Sequence, residues 1–164
     1  MVSVTDQMLE NNEAYSAAFR KGGVSNAPET RVAVVACMDA RLNVYALLGL
    51  REGDAHVIRN AGGVVTEDVI RSLAISQRLV GTREIIVLKH TDCRMLTFLD
   101  DDFKEQVRRE AGIRPPFAFG AFSNLEDAVR QSIARIHASP FVPNKDQLRG
   151  FVYDVASGRL REVL

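Results

Sequence analysis

Val32-Ala33-Val34-Val35-Ala36 leads directly into Cys37-Met38-Asp39-Ala40-Arg41, and Ile85-Ile86-Val87-Leu88 leads, past Lys89, into His90-Thr91-Asp92-Cys93. Each stretch is a short apolar run closed by a polar cluster, which reads as a strand emptying into a loop. The two clusters hold both cysteines of the chain. Two thiolates and one imidazole are also the ligand set of a catalytic zinc site that keeps one position open. The same residues therefore carry one expectation about fold and another about chemistry.

Around these strands, helical and extended patterns alternate. Residues 5–20 read as an amphipathic helix, with Thr5 or Asp6 as its cap and Met8, Leu9, Tyr15 and Phe19 among its apolar positions. A Gly/Ser/Asn/Pro stretch from Gly22 to Pro28 connects it to the first strand, about 31–36. A helix over 42–50, ending near Gly49 or Gly53, precedes a second strand at about 55–59. Asn60-Ala61-Gly62-Gly63 is a sharp loop. Thr66 then caps a helix whose first turn holds Glu67 and Asp68, where the dipole favours negative charge, and Gly81 ends it. After the third strand, about 84–89, helices run from Asp100-Asp101-Asp102 to Gly112 and from Asn124 to just before Pro140. A strand at 149–155, a turn at Ser157-Gly158 and a short strand at 159–163 finish the chain. Strands alternating with helices predict an α/β fold with a mainly parallel sheet flanked by helices, and the last turn adds an antiparallel C-terminal edge strand. No repeat or linker divides the chain, so residues 1–164 read as a single zinc-binding domain with an N-terminal helical arm at about 5–20.

Composition excludes several classes of function. Lys plus Arg and Asp plus Glu both number 21, so a neutral chain has no general pull toward nucleic acid or anionic lipid. The N-terminus has no basic start with an apolar core behind it, and the apolar runs are too short to cross a bilayer. Cytoplasm is the expected compartment. There, two cysteines serve a metal or catalysis more readily than a disulfide. Gly62-Gly63 opens a helix without the spacing of a dinucleotide fingerprint.

Ligands of open α/β sheets gather outside the carboxyl ends of the strands. Cys37 and His90 fall there on neighbouring strands, and Cys93, three residues past His90, can turn back toward the same point. The thiolates of Cys37 and Cys93 would neutralise a divalent ion and neutral His90 would complete three protein ligands, leaving a position for a water that the metal acidifies. Two thiolates cancel more charge than three imidazoles, so activity is expected to favour alkaline pH. Asp39 and Arg41 stand two apart and can meet; an Asp held by an Arg stays ionised. Its oxygen can accept a proton from the metal-bound water, or Asp39 can bind zinc itself and close the open position. The plainer readings are a pair of buried apolar thiols and an ordinary salt bridge. His56 and His137 read as structural or solvated, the Asp100–Asp102 triplet as a helix N-terminus, and Phe117, Phe119 and Phe122 as core or subunit contact.

The Cys-x-Asp-x-Arg of residues 37–41 and the His-x-x-Cys of 90–93 resemble the zinc motifs of β-class carbonic anhydrases. Arg59-Asn60-Ala61-Gly62-Gly63 and the helix after it are similar to that family's middle segment, in its short bacterial and archaeal branch. The resemblance runs from about residue 30 to the end. It implies a four- or five-stranded sheet, zinc on Cys37, His90 and Cys93, and reversible hydration of carbon dioxide to bicarbonate by a zinc-held hydroxide. Asp39 would orient that nucleophile with Arg41 holding Asp39, and Asp39 on zinc would be a resting state. The resemblance further implies dimers or tetramers with the N-terminal helix packed on a partner, and amides of Gly62 and Gly63 shaping the carbon dioxide pocket. One position departs from it. Where the family commonly has Gly after the second cysteine, this chain has Arg94. A bulky cation there can narrow the pocket, bind an anion, or pair with a carboxylate such as Asp92. Relatives on this scaffold hydrolyse carbonyl sulfide or carbon disulfide, which the motif residues do not separate from carbon dioxide. A non-catalytic zinc protein or a redox thiol pair is the alternative outside enzymes.

Overall fold

The computed structural model describes residues 3–164, and its elements follow in chain order as α1 (Val4–Ala18), β1 (Val32–Cys37), α2 (Val44–Leu48), β2 (Ala55–Asn60), α3 (Glu67–Arg78), β3 (Glu84–His90), α4 (Asp100–Ala111), α5 (Leu125–Ala138), β4 (Leu148–Tyr153) and β5 (Leu160–Val163). The strands form one five-stranded sheet in the order β2-β1-β3-β4-β5. β2, β1, β3 and β4 are parallel, and β5 is antiparallel to β4. The fold is therefore the expected α/β arrangement with an antiparallel edge. No helix among the described residues is long and apolar enough to cross a membrane.

The continuous apolar runs have a direct cause. Val35, Ile85 and Val87 face one side of the sheet and pack with Val65, Val69 and Leu73 of the α3 region and Ile136 of α5. Val34, Ala36 and Leu88 face the other side and pack with Leu42, Val44 and Met95. A strand covered on both faces needs apolar side chains at every position rather than at alternate ones. Each such Val or Leu contributes roughly 1.5–3 kcal/mol on burial.

Local signals set most helix ends. Thr66 Oγ1 accepts from Val69 N–H and Asn124 Oδ1 from Asp127 N–H, as capping residues do. Gly49 and Gly112 close α2 and α4 in the left-handed region. One expectation differs. α1 is capped by Ser3, not Thr5 or Asp6, through a box in which Ser3 Oγ accepts from Asp6 N–H and Asp6 Oδ2 accepts from Ser3 N–H. α3 ends at Arg78, with Gly81 in the left-handed region at φ 88° just beyond it and Thr82 N–H returning to the Ser76 carbonyl. The Asp100–Asp102 run does open α4, and Asp100 spends its carboxylate on the N–H groups of Phe119, Gly120 and Ala121.

Strand order places the site. From β1 the chain passes through α2 to β2 on one flank, then returns to β3 on the other. β1 and β3 therefore border the topological switch point, the crevice where open α/β sheets bind ligands. Their carboxyl ends are the two motif clusters.

Candidate metal centre

Cys37 is the last residue of β1 and His90 the last of β3, with Ala36 and Leu88 paired in register just before them. Asp92 adopts φ 54°, a left-handed conformation that Asp tolerates better than most residues, and this bend brings Cys93 back toward the strand ends. The ligand atoms of Cys37, His90 and Cys93 all lie within 4.8 Å of one another and can hold a metal ion. All three residues are buried.

The donor set fits a cation. His90 Nδ1 donates to the Thr91 carbonyl at 2.8 Å, which leaves Nε2 with its lone pair directed inward. That Nε2 is buried without a hydrogen-bond partner. A buried ring nitrogen facing two sulfurs is the arrangement that a zinc ion with Cys₂His ligation completes. The two sulfurs are coupled through one shared proton. The hydrogen bond with Cys93 holds the Cys37 thiol well below its usual range, burial opposes this, and His90 and the N–H groups of Asp39 and Gly62 reinforce it. Cys93 is pushed up in turn, by Cys37 first and then by burial. Burial lowers the affinity of His90 for a proton, yet the neighbouring Cys37 sulfur, the bond to the Thr91 carbonyl and the Asp39 charge raise it overall.

Beside the ligands, Arg41 grips Asp39 with both ends of its fork: Nε donates to Oδ1 at 3.0 Å and Nη2 to Oδ2 at 2.8 Å. The Arg41 backbone N–H adds a third bond to Oδ1 at 2.9 Å. These bonds hold the Asp39 carboxyl well below its ordinary range. Asp39 Oδ2 lies 3.8 Å from His90 Nε2, so the paired carboxylate also borders the ligand cluster. The expected dyad is thus in its Arg-paired arrangement.

The sequence reading did not foresee three contacts. Arg41 Nη1 donates to Asp92 Oδ2 at 2.7 Å and Nη2 to the Asp92 carbonyl at 3.0 Å, tying one motif loop to the other. Arg59 holds the carbonyls of Cys37 and Asp39, at 2.9 and 2.7 Å. Lys89, inside the apolar β3, donates from Nζ to the carbonyls of Gly62 and Gly63, both at 2.8 Å. A lone lysine in an apolar run was the available signal for the last. The first two join residues with nothing in their spacing to link them.

Gly62 and Gly63 form a turn against the cluster, at φ 73° and 57°. A Cβ on Gly63 would lie 2.9 Å from Ala36 C and Cys37 N, so only glycine allows the turn to press on the end of β1. Arg94 does not pair with Asp92, whose carboxylate is on Arg41. The Arg94 residue is exposed, and its guanidinium makes no hydrogen bond or ion pair among the described residues.

This geometry has known counterparts. Residues 32–115 match the family model described as carbonic anhydrase. The chain is 59% identical over 162 residues to beta-carbonic anhydrase 1 of Mycobacterium tuberculosis, with 99% of each chain covered. It is 32% identical over 181 residues to the carbon disulfide hydrolase of Saccharolobus solfataricus, covering 96% of this chain and 87% of that one. The crystal structure of a carbonic anhydrase from Streptococcus mutans superposes with a TM-score of 0.94 at 45% identity, over 100% of this chain and 99% of that one. With both motifs at the switch point of the same sheet, the chain belongs to the β-carbonic anhydrase family.

Proposed function

We propose that this chain is a zinc-dependent lyase that reversibly hydrates carbon dioxide to bicarbonate, working in the cytoplasm as a dimer or tetramer, with residues 1–164 as one domain. Cys37, His90 and Cys93 would hold the zinc, which supplies a Lewis acid able to make water nucleophilic near neutral pH. The observation that carries the reading is the buried, unpartnered His90 Nε2 facing two sulfurs with the Arg-held Asp39 carboxylate 3.8 Å away.

The roles of the neighbouring residues follow from their charge and position. Asp39, kept ionised by Arg41, accepts a hydrogen bond from the attacking water at Oδ2 and so fixes its orientation. An acceptor held this far below neutrality orients the proton without taking it up. Arg41 prevents Asp39 from swinging onto the metal and closing the open position. The turn at Gly62 and Gly63 walls the pocket for a small linear substrate. Arg94 would stand at its margin, where a cation can attract an anionic product. The relatives named as carbon disulfide hydrolases support hydrolysis of carbon disulfide or carbonyl sulfide as the second reading.

Stopped-flow carbon dioxide hydration on zinc-replete protein at neutral and alkaline pH tests the proposal. Fast turnover, greater at alkaline pH, is expected. Absent turnover with zinc bound would reject the lyase and turn attention to sulfide release from carbonyl sulfide; absent zinc would favour the redox-thiol alternative.

Self-association is supported by α1, which buries nothing against its own chain and leaves Val4, Met8, Leu9 and Tyr15 exposed, with Phe19 exposed just beyond it. The expected result in sedimentation equilibrium is a mass at least twice that of the chain. Joint replacement of Met8, Leu9 and Tyr15 by Asp should shift it toward monomer; an unchanged mass would remove α1 from the interface.

A further inference from the structure

Lys89 is the largest side chain fully buried in this fold and is 2% exposed. It sits between Leu88 and the ligand His90, and strand alternation turns it to the opposite face of the sheet from His90. Among the described residues it forms no ion pair with a carboxylate. Its partners are the Gly62 and Gly63 carbonyls, with the Phe122 ring 5.2 Å from Nζ. A buried amine without a carboxylate is costly, and an apolar side chain would serve the core better. The residue is therefore explained by what it holds.

We infer that Lys89 is a positioning residue of the metal centre: its Nζ clamps the carbonyls of Gly62 and Gly63 and so fixes the turn that braces both cysteine-bearing loops. This rests on reading Cys37, His90 and Cys93 as metal ligands. The turn has no slack on either side. On Gly63, a Cβ would meet the Ala36–Cys37 peptide at 2.9 Å; on Gly62, it would meet Met95 Cγ at 2.7 Å and Phe122 at 3.3 Å. A shift of the turn would therefore move the Cys37 backbone and unseat Met95, two residues beyond Cys93. An amine donates N–H groups whether charged or neutral, so the clamp holds in either state.

Lys89→Met keeps the length and volume while removing the donors. Lys89→Ala opens space beside a cavity of about 180 Å³ that Lys89 lines, so water can satisfy the carbonyls without tethering them. Both are compared with the wild-type assembly for zinc retention against a chelator and for the visible spectrum of the cobalt-substituted protein. Expected is zinc affinity lowered about tenfold or more, as for the loss of groups that orient metal ligands, with shifted cobalt bands in folded protein. Wild-type affinity and spectrum, with only the melting temperature reduced, would make Lys89 structural and overturn the inference. Failure of both variants to fold would do the same. Wild-type protein that retains no zinc would instead sink the metal reading itself, so the two failures are distinguishable.

Discussion

Cys93→Ser should lose its zinc and its carbon dioxide hydration together while keeping the fold. Structural zinc sites bind with an apparent ~10–16 kcal/mol shared among four ligands, so one thiolate is worth about 3 kcal/mol, or roughly a hundredfold in affinity. Serine does not replace it, because its hydroxyl stays protonated near neutral pH and is a poor ligand for a borderline-soft metal. The fold should survive because Cys93 is a free thiol and cross-links nothing. Removing one sulfur also relieves a conflict, since Cys37 and Cys93 compete for a proton in the metal-free protein. The measurement is zinc per chain after dialysis, read beside stopped-flow turnover and circular dichroism. Zinc content and turnover both at the wild-type level would mean that the three-residue cluster is not the site. Loss of turnover with zinc retained would move Cys93 from metal binding into the reaction.

Legibility in the sequence followed the range of the forces involved. β1 and β3 were readable because a strand buried on both faces must be apolar throughout, and Val34, Val35, Ile85 and Leu88 satisfy that without help from distant residues. The caps at Thr66 and Asn124 were readable because each bond spans three residues. The cap of α1 was not, because Ser3, Thr5 and Asp6 are all competent and only the geometry of the capping box selects Ser3. The cysteines and His90 were readable as a cluster once strand ends were known, since parallel strands place their carboxyl ends together. What escaped was pairing at long range. Arg41 and Asp92 are tied across 51 positions, and a sequence offers Asp92 several cations, Arg94 included. Lys89 shows the same limit: its place in a strand was legible, but its partners lie 26 and 27 positions away in a turn.

Asp39→Asn should leave zinc binding and folding nearly intact and lower turnover by roughly a hundredfold, the scale on which misplacing a reacting group costs rate. Arg41 explains why stability is spared. In the variant its fork keeps Asp92 at 2.7 Å, so the two motif loops stay joined, and a lost half-exposed ion pair is worth about 0.2–1 kcal/mol. The sign of the pH effect follows from the direction of the shift. The folded carboxyl lies below its ordinary value of 3.8, so its contribution to stability is present above about pH 4 and fades as pH falls below that. The wild type and Asp39→Asn should therefore differ in melting temperature at neutral pH and converge in strong acid. Asp39 does not titrate between pH 6 and 9, so any pH dependence of wild-type turnover in that window comes from another group. The variant should then show the same profile displaced downward. Undiminished turnover across the window would remove Asp39 from the mechanism. A profile of changed shape would mean that the carboxylate sets the acidity of the attacking water as well as its orientation.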